Sequence, residues 1–360
     1  MKKSLIAMAV LAAASGAAMA QSSVTLFGIV DLGVGLGRGA VDRTGLNSNG
    51  YNSNRLGFRG VEDLGGGMKA GFWLEAGMSN DDGQGANTNS NNQASGTGAA
   101  VNGRQGLTFN RRSTVSVGGG WGELRLGRDY TPHFWNHTVY DPFGTNGVGR
   151  SQTLSGSVGG PTNVRASNSV TYMWGQGFNN ASTGGPGFHA MAQTYFGENP
   201  SSVGATKKDG SGTSLRVGYN GGPVSVALGY GSTKFNTGNI TTTNLGGSYD
   251  LGVAKLRAIY NRDKVKGGVT GTGYLVGATV PMGGNYVAVA LSQSKTNAAG
   301  TPKGSKFALG YVHNLSKRTA LYATVARLSG KGGMTPALNG GSGAVNGKVT
   351  GYDFGVTHRF

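Results

Sequence analysis

No cysteine occurs in the 360 residues, so disulfides, thiolate metal sites and cysteine nucleophiles are excluded. Charge is scarce. Asp, Glu, Lys and Arg make up 13%, about half the ~25% of an ordinary globular chain. Acids are the scarcer sign, 15 against 32 Lys and Arg, which leaves a formal charge of +17. Proline numbers only nine and glycine keeps no three-residue period, so collagen is excluded. Past the first twenty residues no apolar run reaches the roughly 18 residues of a spanning helix. Glycine, in contrast, is abundant at 69 residues, and it costs about 1 kcal/mol per helix position relative to alanine. A helical protein is therefore disfavoured.

Residues 1–20 read as an export signal. Lys2 and Lys3 form a positive start, Leu5 to Ala14 a short apolar run, and Ala18-Met19-Ala20 a small-x-small cleavage site before Gln21. The run is too short for an anchor. Two lysines leave with it and no acid, so 30 basic and 15 acidic side chains remain, formally +15. The expected organisation is a signal peptide over 1–20 and one domain over 21–360. The remaining chain is either soluble beyond the inner membrane or crosses a membrane as strands.

From Ser22 to Phe360 short segments alternate with period two, separated by Gly, Asn, Ser, Thr and Asp clusters. Val224, Val226, Leu228 and Tyr230 interleave with Ser225, Ala227, Gly229 and Gly231. Tyr352, Phe354, Val356, His358 and Phe360 share one face and Gly351, Asp353, Gly355, Thr357 and Arg359 the other. This is the period of a strand with one apolar and one polar face. Sixteen such segments are expected: 23–35, 53–63, 67–78, 104–118, 121–130, 165–175, 187–197, 213–221, 223–233, 242–251, 253–263, 269–280, 284–295, 304–314, 318–329 and 349–360. Their connections alternate between short and long, the long ones including 38–53, 79–103, 130–164 and 329–348. That is the rhythm of an up-and-down meander with one smooth and one elaborate rim.

A soluble sandwich or solenoid would bury the apolar faces in a core, whereas a membrane barrel turns them to lipid around a polar lumen. Arg55 with Arg59, Glu123 with Arg125, Lys255 with Arg257, and Asp353 occupy the polar sets and favour the barrel. Closure also removes the exposed edges of so long a meander. A hydrophobic fraction of 37% is low for a soluble core of this size. It suffices for an outer band about 25 Å tall. Phe27, Phe58, Phe72, Trp121, Tyr219, Tyr230 and Tyr311 lie near segment ends, where interfacial girdles would place them. Ordinary strand propensity is the plainer account of any one of them.

Five stretches, in order along the chain, resemble the general diffusion porins of Gram-negative outer membranes. The nearest likeness is to those of Burkholderia-, Neisseria- and Comamonas-like bacteria. The stretches are Ser23–Asp31 (SVTLFGIVD), Arg55–Gly65 (RLGFRGVEDLG), Leu124–Pro132 (LRLGRDYTP), Asp141–Gly144 (DPFG) and Val356–Phe360 (VTHRF). The resemblance implies an all-β, 16-stranded antiparallel transmembrane barrel with an inward-folded constriction loop, assembled as a homotrimer in the outer membrane. The partners implied are outer-membrane lipid and lipopolysaccharide, the assembly machinery that reads the terminal Phe360, and small hydrophilic solutes and inorganic anions.

By the same resemblance the connection from Tyr130 to about Val164 is the constriction loop, with Asp141 as its lumen-facing acid. It is too long for an ordinary hairpin loop and holds Tyr130, His133, Phe134, Trp135, His137, Tyr140 and Phe143, side chains suited to packing against a wall. An outer cap or trimer contact is the alternative. Asp129 stands at its root, and acids are otherwise few. Opposite, the resemblance places a basic ladder at Arg55, Arg111 and Arg165. Alternation puts Arg55 and Arg59 in water, opposed to Leu56 and Phe58. For Arg111 the two lines of reasoning part, because local alternation favours Arg112, which shares a face with Thr114 and Ser116. Arg125, Arg128, Lys255, Arg257 and Arg216 are further wall candidates, or rim residues in water.

An acidic loop facing a basic wall sets up a transverse field in a wet channel. With +15 and few loop acids, anion preference is expected. Catalysis is not. The five His are scattered, and His133 and His137 lack an HExxH context, which leaves loop packing as their simplest role. The glycines of 268–273 lack the order of a dinucleotide loop. No compact basic-aromatic module points to nucleic acid. No metal or cofactor is expected. The competing function is a structural or adhesive barrel with a closed lumen.

Overall fold

The computed structural model describes residues 23–89, 92, 106–180 and 184–360. The expected signal peptide and the first two residues of the segment expected at 104–118 lie outside them. Sixteen antiparallel strands close into a barrel: β1 Ser23–Arg38, β2 Arg55–Gly65, β3 Met68–Ser79, β4 Arg112–Gly119, β5 Gly122–Tyr130, β6 Arg165–Trp174, β7 Gly187–Tyr195 and β8 Gly212–Gly221, then β9 Val224–Thr233, β10 Ile240–Asp250, β11 Lys255–Val265, β12 Thr270–Met282, β13 Asn285–Thr296, β14 Lys303–Asn314, β15 Thr319–Lys331 and β16 Lys348–Arg359. Each pairs with its sequence neighbours, and β1 closes the ring on β16 from Ile29↔Arg359 to Arg38↔Thr350. No sheet edge is left open along this seam, which is how a spanning sheet satisfies its backbone in lipid.

Every strand divides its side chains by parity. Along β1, Val24, Leu26, Val30 and Val34 are exposed, while Asp31 is buried on the opposite face. Along β4, Val115 is exposed and Arg112, Thr114 and Ser116 are buried. Apolar out and polar in is the inverse of a soluble core. Trp121, Tyr219, Tyr230 and Tyr311 are on the exposed face, as girdle residues should be. Phe27 is not. Its ring packs 5.2 Å from Trp73 on the polar side, because it pairs with Gly57 and shares the parity of Asp31.

One connection departs from expectation. Within 38–53 a further strand, Arg43–Ser48, pairs with the upper half of β1, from Leu32↔Ser48 to Gly37↔Arg43. The loop is thus only 39–42, and the strand resumes as β2 after an excursion at 49–54. Asp31 organises that excursion. Its carboxylate accepts the backbone N–H of Gly50 at 2.9 Å and of Asn52 at 2.7 Å, and the Tyr322 hydroxyl at 2.9 Å. A buried carboxylate needs such donors, and the chain leaves the sheet to supply them. The segment expected at 104–118 begins as a strand only at Arg112.

The connection 131–164 lies on the polar faces of β8 to β13. It carries α1, Phe134–Tyr140, and α2, Gln152–Ser155. Asn136 donates to Ala227 O at 2.9 Å and to Asn244 Oδ1 at 2.8 Å. Tyr140 OH meets Ser225 Oγ at 2.9 Å, and the Gln152 N–H donates to Ser292 Oγ at 2.9 Å. The Val148 N–H reaches Asp353 Oδ2 at 2.7 Å. The wall makes room with glycine. A Cβ at Gly229 would lie 2.9 Å from His133 Cα, and one at Gly277 2.7 Å from Pro142.

Candidate pore-lining cluster

Opposite that covered wall, β2, β3, the approach to β4, β5 and β6 gather three guanidinium groups around one carboxylate and one tyrosine hydroxyl. Glu75, on the inner parity of β3, accepts from Arg111 Nε at 2.6 Å and Arg55 Nη1 at 3.2 Å through Oε1, and from Trp73 Nε1 at 3.0 Å through Oε2. Arg111 Nη2 donates to the Tyr130 hydroxyl at 2.5 Å. Arg165 donates to the same oxygen and lies 4.0 Å over the Tyr130 ring. Three cations against one acid leave this group at a formal +2. Aromatic faces hold the guanidinium planes while their edges remain donors.

The Arg111 and Arg112 alternatives resolve into two roles. Arg112 begins β4 on the inward parity, pairs with Asp129 at 2.8 Å and sits 4.4 Å over Trp73. Arg111 lies just before the strand and reaches the cluster from its end. Arg125 bridges Asp129 at 2.6 Å and Glu123 at 2.9 Å, so Arg112, Asp129, Arg125 and Glu123 form a neutral buried ladder. Arg128 meets no carboxylate among the described residues. Its guanidinium donates to Asn110 O at 2.6 Å and Ser167 Oγ at 2.7 Å.

Arg55, Arg111, Arg112, Arg165, Tyr130, Trp135 and Asp141 line one cavity of about 500 Å³. A second, of about 450 Å³, opens toward the elaborate rim. The two share Ser53, Arg111, Thr145 and Asn146. Ser53 Oγ donates to Asn146 Oδ1 at 2.7 Å, and Gly147 N to Asn49 O at 3.1 Å. The excursion at 49–54 and the tip of 131–164 thus touch at the junction of the cavities.

A family model described as Gram-negative porin matches residues 7–333. The chain is 39% identical to outer membrane porin protein 32 of Delftia acidovorans over all of both chains. That decides the family. The chain belongs to the Gram-negative porins. It is also 31% identical to an outer membrane porin of Bordetella pertussis, over 90% of this chain and 93% of that one. The solved anion-selective porin from Comamonas acidovorans superposes with a TM-score of 0.78 at 35% identity, covering 94% of this chain and 100% of that one. This porin is a multi-pass β-barrel protein of the outer membrane and a channel of the passive-diffusion type.

Several expected site residues take other places in the porin. Arg59 is not in the cluster. It stands four residues nearer the smooth rim, 5.0 Å from Trp73 and 5.5 Å from Phe27. Asp141 contacts the cavity, but its carboxylate is turned into its own loop, where Phe143 N donates at 2.9 Å and Ser151 N at 2.7 Å. Burial raises its carboxyl, and those two N–H groups pull it back. It is a brace of the loop more than a free charge. His133 and His137 are buried between loop and wall, on Ser214 Oγ at 2.8 Å and Thr153 Oγ1 at 3.3 Å. Burial, and then the neighbouring His137, lowers His133 to about 3. Arg216 is fully buried and holds Asn136 Oδ1 at 2.8 Å, whereas Arg257 lines the 500 Å³ cavity. Phe360 pairs back to Gly28, N to O at 3.2 Å and O to N at 3.1 Å. Among the described residues no group of three or more His, Asp or Glu is placed to hold a metal ion.

Glu75 and Trp73 are the functional residues that sequence reasoning missed. The alternation of β3 contains the signal. Gly71, Trp73, Glu75 and Gly77 share the parity opposite Phe72, Leu74 and Ala76, and a glutamate on that face has to lie inside.

Proposed function

We propose that this porin passes small hydrophilic solutes by passive diffusion with a preference for anions, and that segment 131–164 is the loop that constricts its pore. The narrow plane then lies where the two cavities meet, between Ser53, Thr145 and Asn146 on one side and Arg111 on the other. The observation that carries this reading is the formal +2 of Arg55, Arg111 and Arg165 against Glu75. Fixed cations at a constriction raise local anion concentration and exclude cations. The related solved porin of Comamonas acidovorans is anion-selective, which supports the same reading. Inorganic phosphate and small organic acids fit the chemistry of the cluster.

Further parts of the reading come from the family. The porin is a homotrimer in contact with lipid and lipopolysaccharide, residues 1–20 are removed on export, and Phe360 is read by the outer-membrane assembly machinery. The rim with short turns then faces the periplasm. Reversal potentials across a planar bilayer under a salt gradient test the selectivity, and conductance steps in groups of three test the assembly. A cation-selective reversal potential would overturn the anion preference. A folded barrel that never conducts would favour the closed-lumen alternative.

A further inference from the structure

Six of the seven connections on the smooth rim have two or four residues: 66–67, 120–121, 222–223, 251–254, 283–284 and 315–318. The seventh, 175–186 between β6 and β7, has twelve. We infer that the first half of this turn, residues 175–180, is folded into the barrel as a floor, closing one side of the smooth-rim mouth and directing solutes to the other.

The wall is built to receive it. Gly71 on β3 and Gly118 on β4 both have inward parity. A Cβ at Gly118 would lie 2.7 Å from the Phe178 ring, and one at Gly71 3.0 Å from it. Phe178 thus occupies a slot that any larger residue would fill. The next residue, Asn179, adopts φ 51° and is buried. Its N–H donates to Glu123 Oε2 at 2.8 Å, and its side-chain amide donates to Gly60 O and Phe72 O, each at 3.1 Å. Arg125 donates to Asn180 O at 3.3 Å. On the far side Asn220 of β8 holds Gly185 O at 3.0 Å. Residues 178–180 therefore reach across the ladder of β5 to β2 and β3, while Gly185 extends the β7–β8 pairing; residues 181–183 lie outside the described residues.

Backbone and side-chain polar groups inside a barrel are satisfied by water at little cost, so a turn left in solvent would need none of these partners. Here a phenyl ring and a buried amide are spent on holding it in. The consequence is asymmetry. Glu123 and Arg125 are covered, and the neutral ladder is shielded from the conduit. On the uncovered side a small cavity near the smooth rim is lined by Tyr51, Arg318 and Arg359, and Tyr51 also lines the 500 Å³ cavity. An anion leaving the central cluster by that side meets further cations and no exposed Glu123.

This inference rests on the porin conducting, but its first test does not. In a chain without cysteine, the pair Gly71→Cys and Asn179→Cys should form a disulfide on mild oxidation, seen as a gel shift reversed by reductant. No cross-link in a folded barrel would overturn the docking. In the second test, Gln176–Gly185 is replaced by Asn-Gly. Single-channel conductance should rise roughly 1.3-fold, a modest gain because the floor lies in series with the narrower middle plane. Anion preference should fall as Glu123 is uncovered. Gly118→Val evicts Phe178 from the wall side, and should give the same two changes if the shortened turn fails to fold. Parental conductance and selectivity in both variants would overturn the inference. A parental porin that passes no current would instead defeat the proposed function, and the cross-link alone would then decide whether the turn is docked.

Discussion

The arc β2–β6 and the arc β8–β13 have the same alternation and opposite interiors. In the first, inward positions carry Arg112, Arg125, Glu75, Glu123 and Trp73, held against one another, and Trp73, Glu75 and Arg112 face a cavity. In the second they carry mostly short groups, Ser214, Thr242, Asn244 and a series of glycines, and its buried Arg216 and Asp263 bond the loop that lies on them. The first arc has side chains long enough to meet across the strands, so its charges partner each other. The second is cut back so that another segment can supply the partners. Strand parity tells which way a side chain points. What stands opposite depends on the size of the inward residues.

The comparison breaks hardest if the charged arc is emptied. Arg55→Ala, Arg111→Ala and Arg165→Ala together should abolish anion preference or reverse its sign, since Glu75 then remains alone. Arg216→Ala, on the covered arc, should leave the reversal potential unchanged. Equal effects from both would show that the cluster is not special. Next in size is Glu75→Gln. Anion preference should strengthen, at a cost of about 3 kcal/mol to the folded barrel from unpaired buried guanidinium groups, read as a lower unfolding midpoint in detergent. On the covered arc Gly246→Val sharpens the contrast from the other side. The position faces the Tyr140 ring, and overpacking there should cost about 1–3 kcal/mol. Channel current should become noisier as α1 lifts, with little change in selectivity. Smaller again is Asp141→Asn. Two loop N–H groups keep an acceptor but lose the charge, so the loop should loosen by about 1 kcal/mol. Selectivity should barely move, because this carboxylate is not free in the lumen.

Much of the barrel was legible because the period-two signal is local. Fifteen of the sixteen expected segments start within three residues of a strand, and the exception, 104–118, runs through a polar stretch that precedes Arg112. The short strand Arg43–Ser48 was hidden, since Arg-Thr-Gly-Leu-Asn-Ser reads as loop and its pairing with β1 is followed by the inward excursion at 49–54 that Asp31 holds. The site was legible in part. Parity put Arg55 inside, and family likeness brought Arg111 and Arg165 to it. Neither could tell that the Asp141 carboxylate turns back into its own loop, because a Phe143 N–H two residues on and a Ser151 N–H ten residues on are contacts of a folded turn. Arg59 shows the limit of parity alone. It points inward as Arg55 does, but four strand residues at about 3.3 Å each put it some 13 Å away.

The finest distinction between the two arcs is in their response to acid. The charged arc is held by Arg–carboxylate pairs. The covered arc is held in part by a neutral imidazole, His133, seated on Gly231 and Ser214. Burial keeps its proton affinity low, about 3 in the docked loop, against roughly 6.5 for a released imidazole. The released loop therefore binds the proton first. Docking is fully stable above pH 6.5 and weakens by about 1.4 kcal/mol for each unit that pH falls below it, until the docked histidine itself titrates near 3. Open-channel noise should grow as pH is lowered from 6.5 to 5, while the reversal potential stays constant. His133→Gln, which keeps a hydrogen-bonding group for Ser214 and cannot titrate, should reduce the slope to the part set by His137, whose proton affinity burial also lowers. If the noise grows equally in that variant, the acid response belongs to groups other than His133, with His137 and the carboxylates of the charged arc separated by His137→Gln.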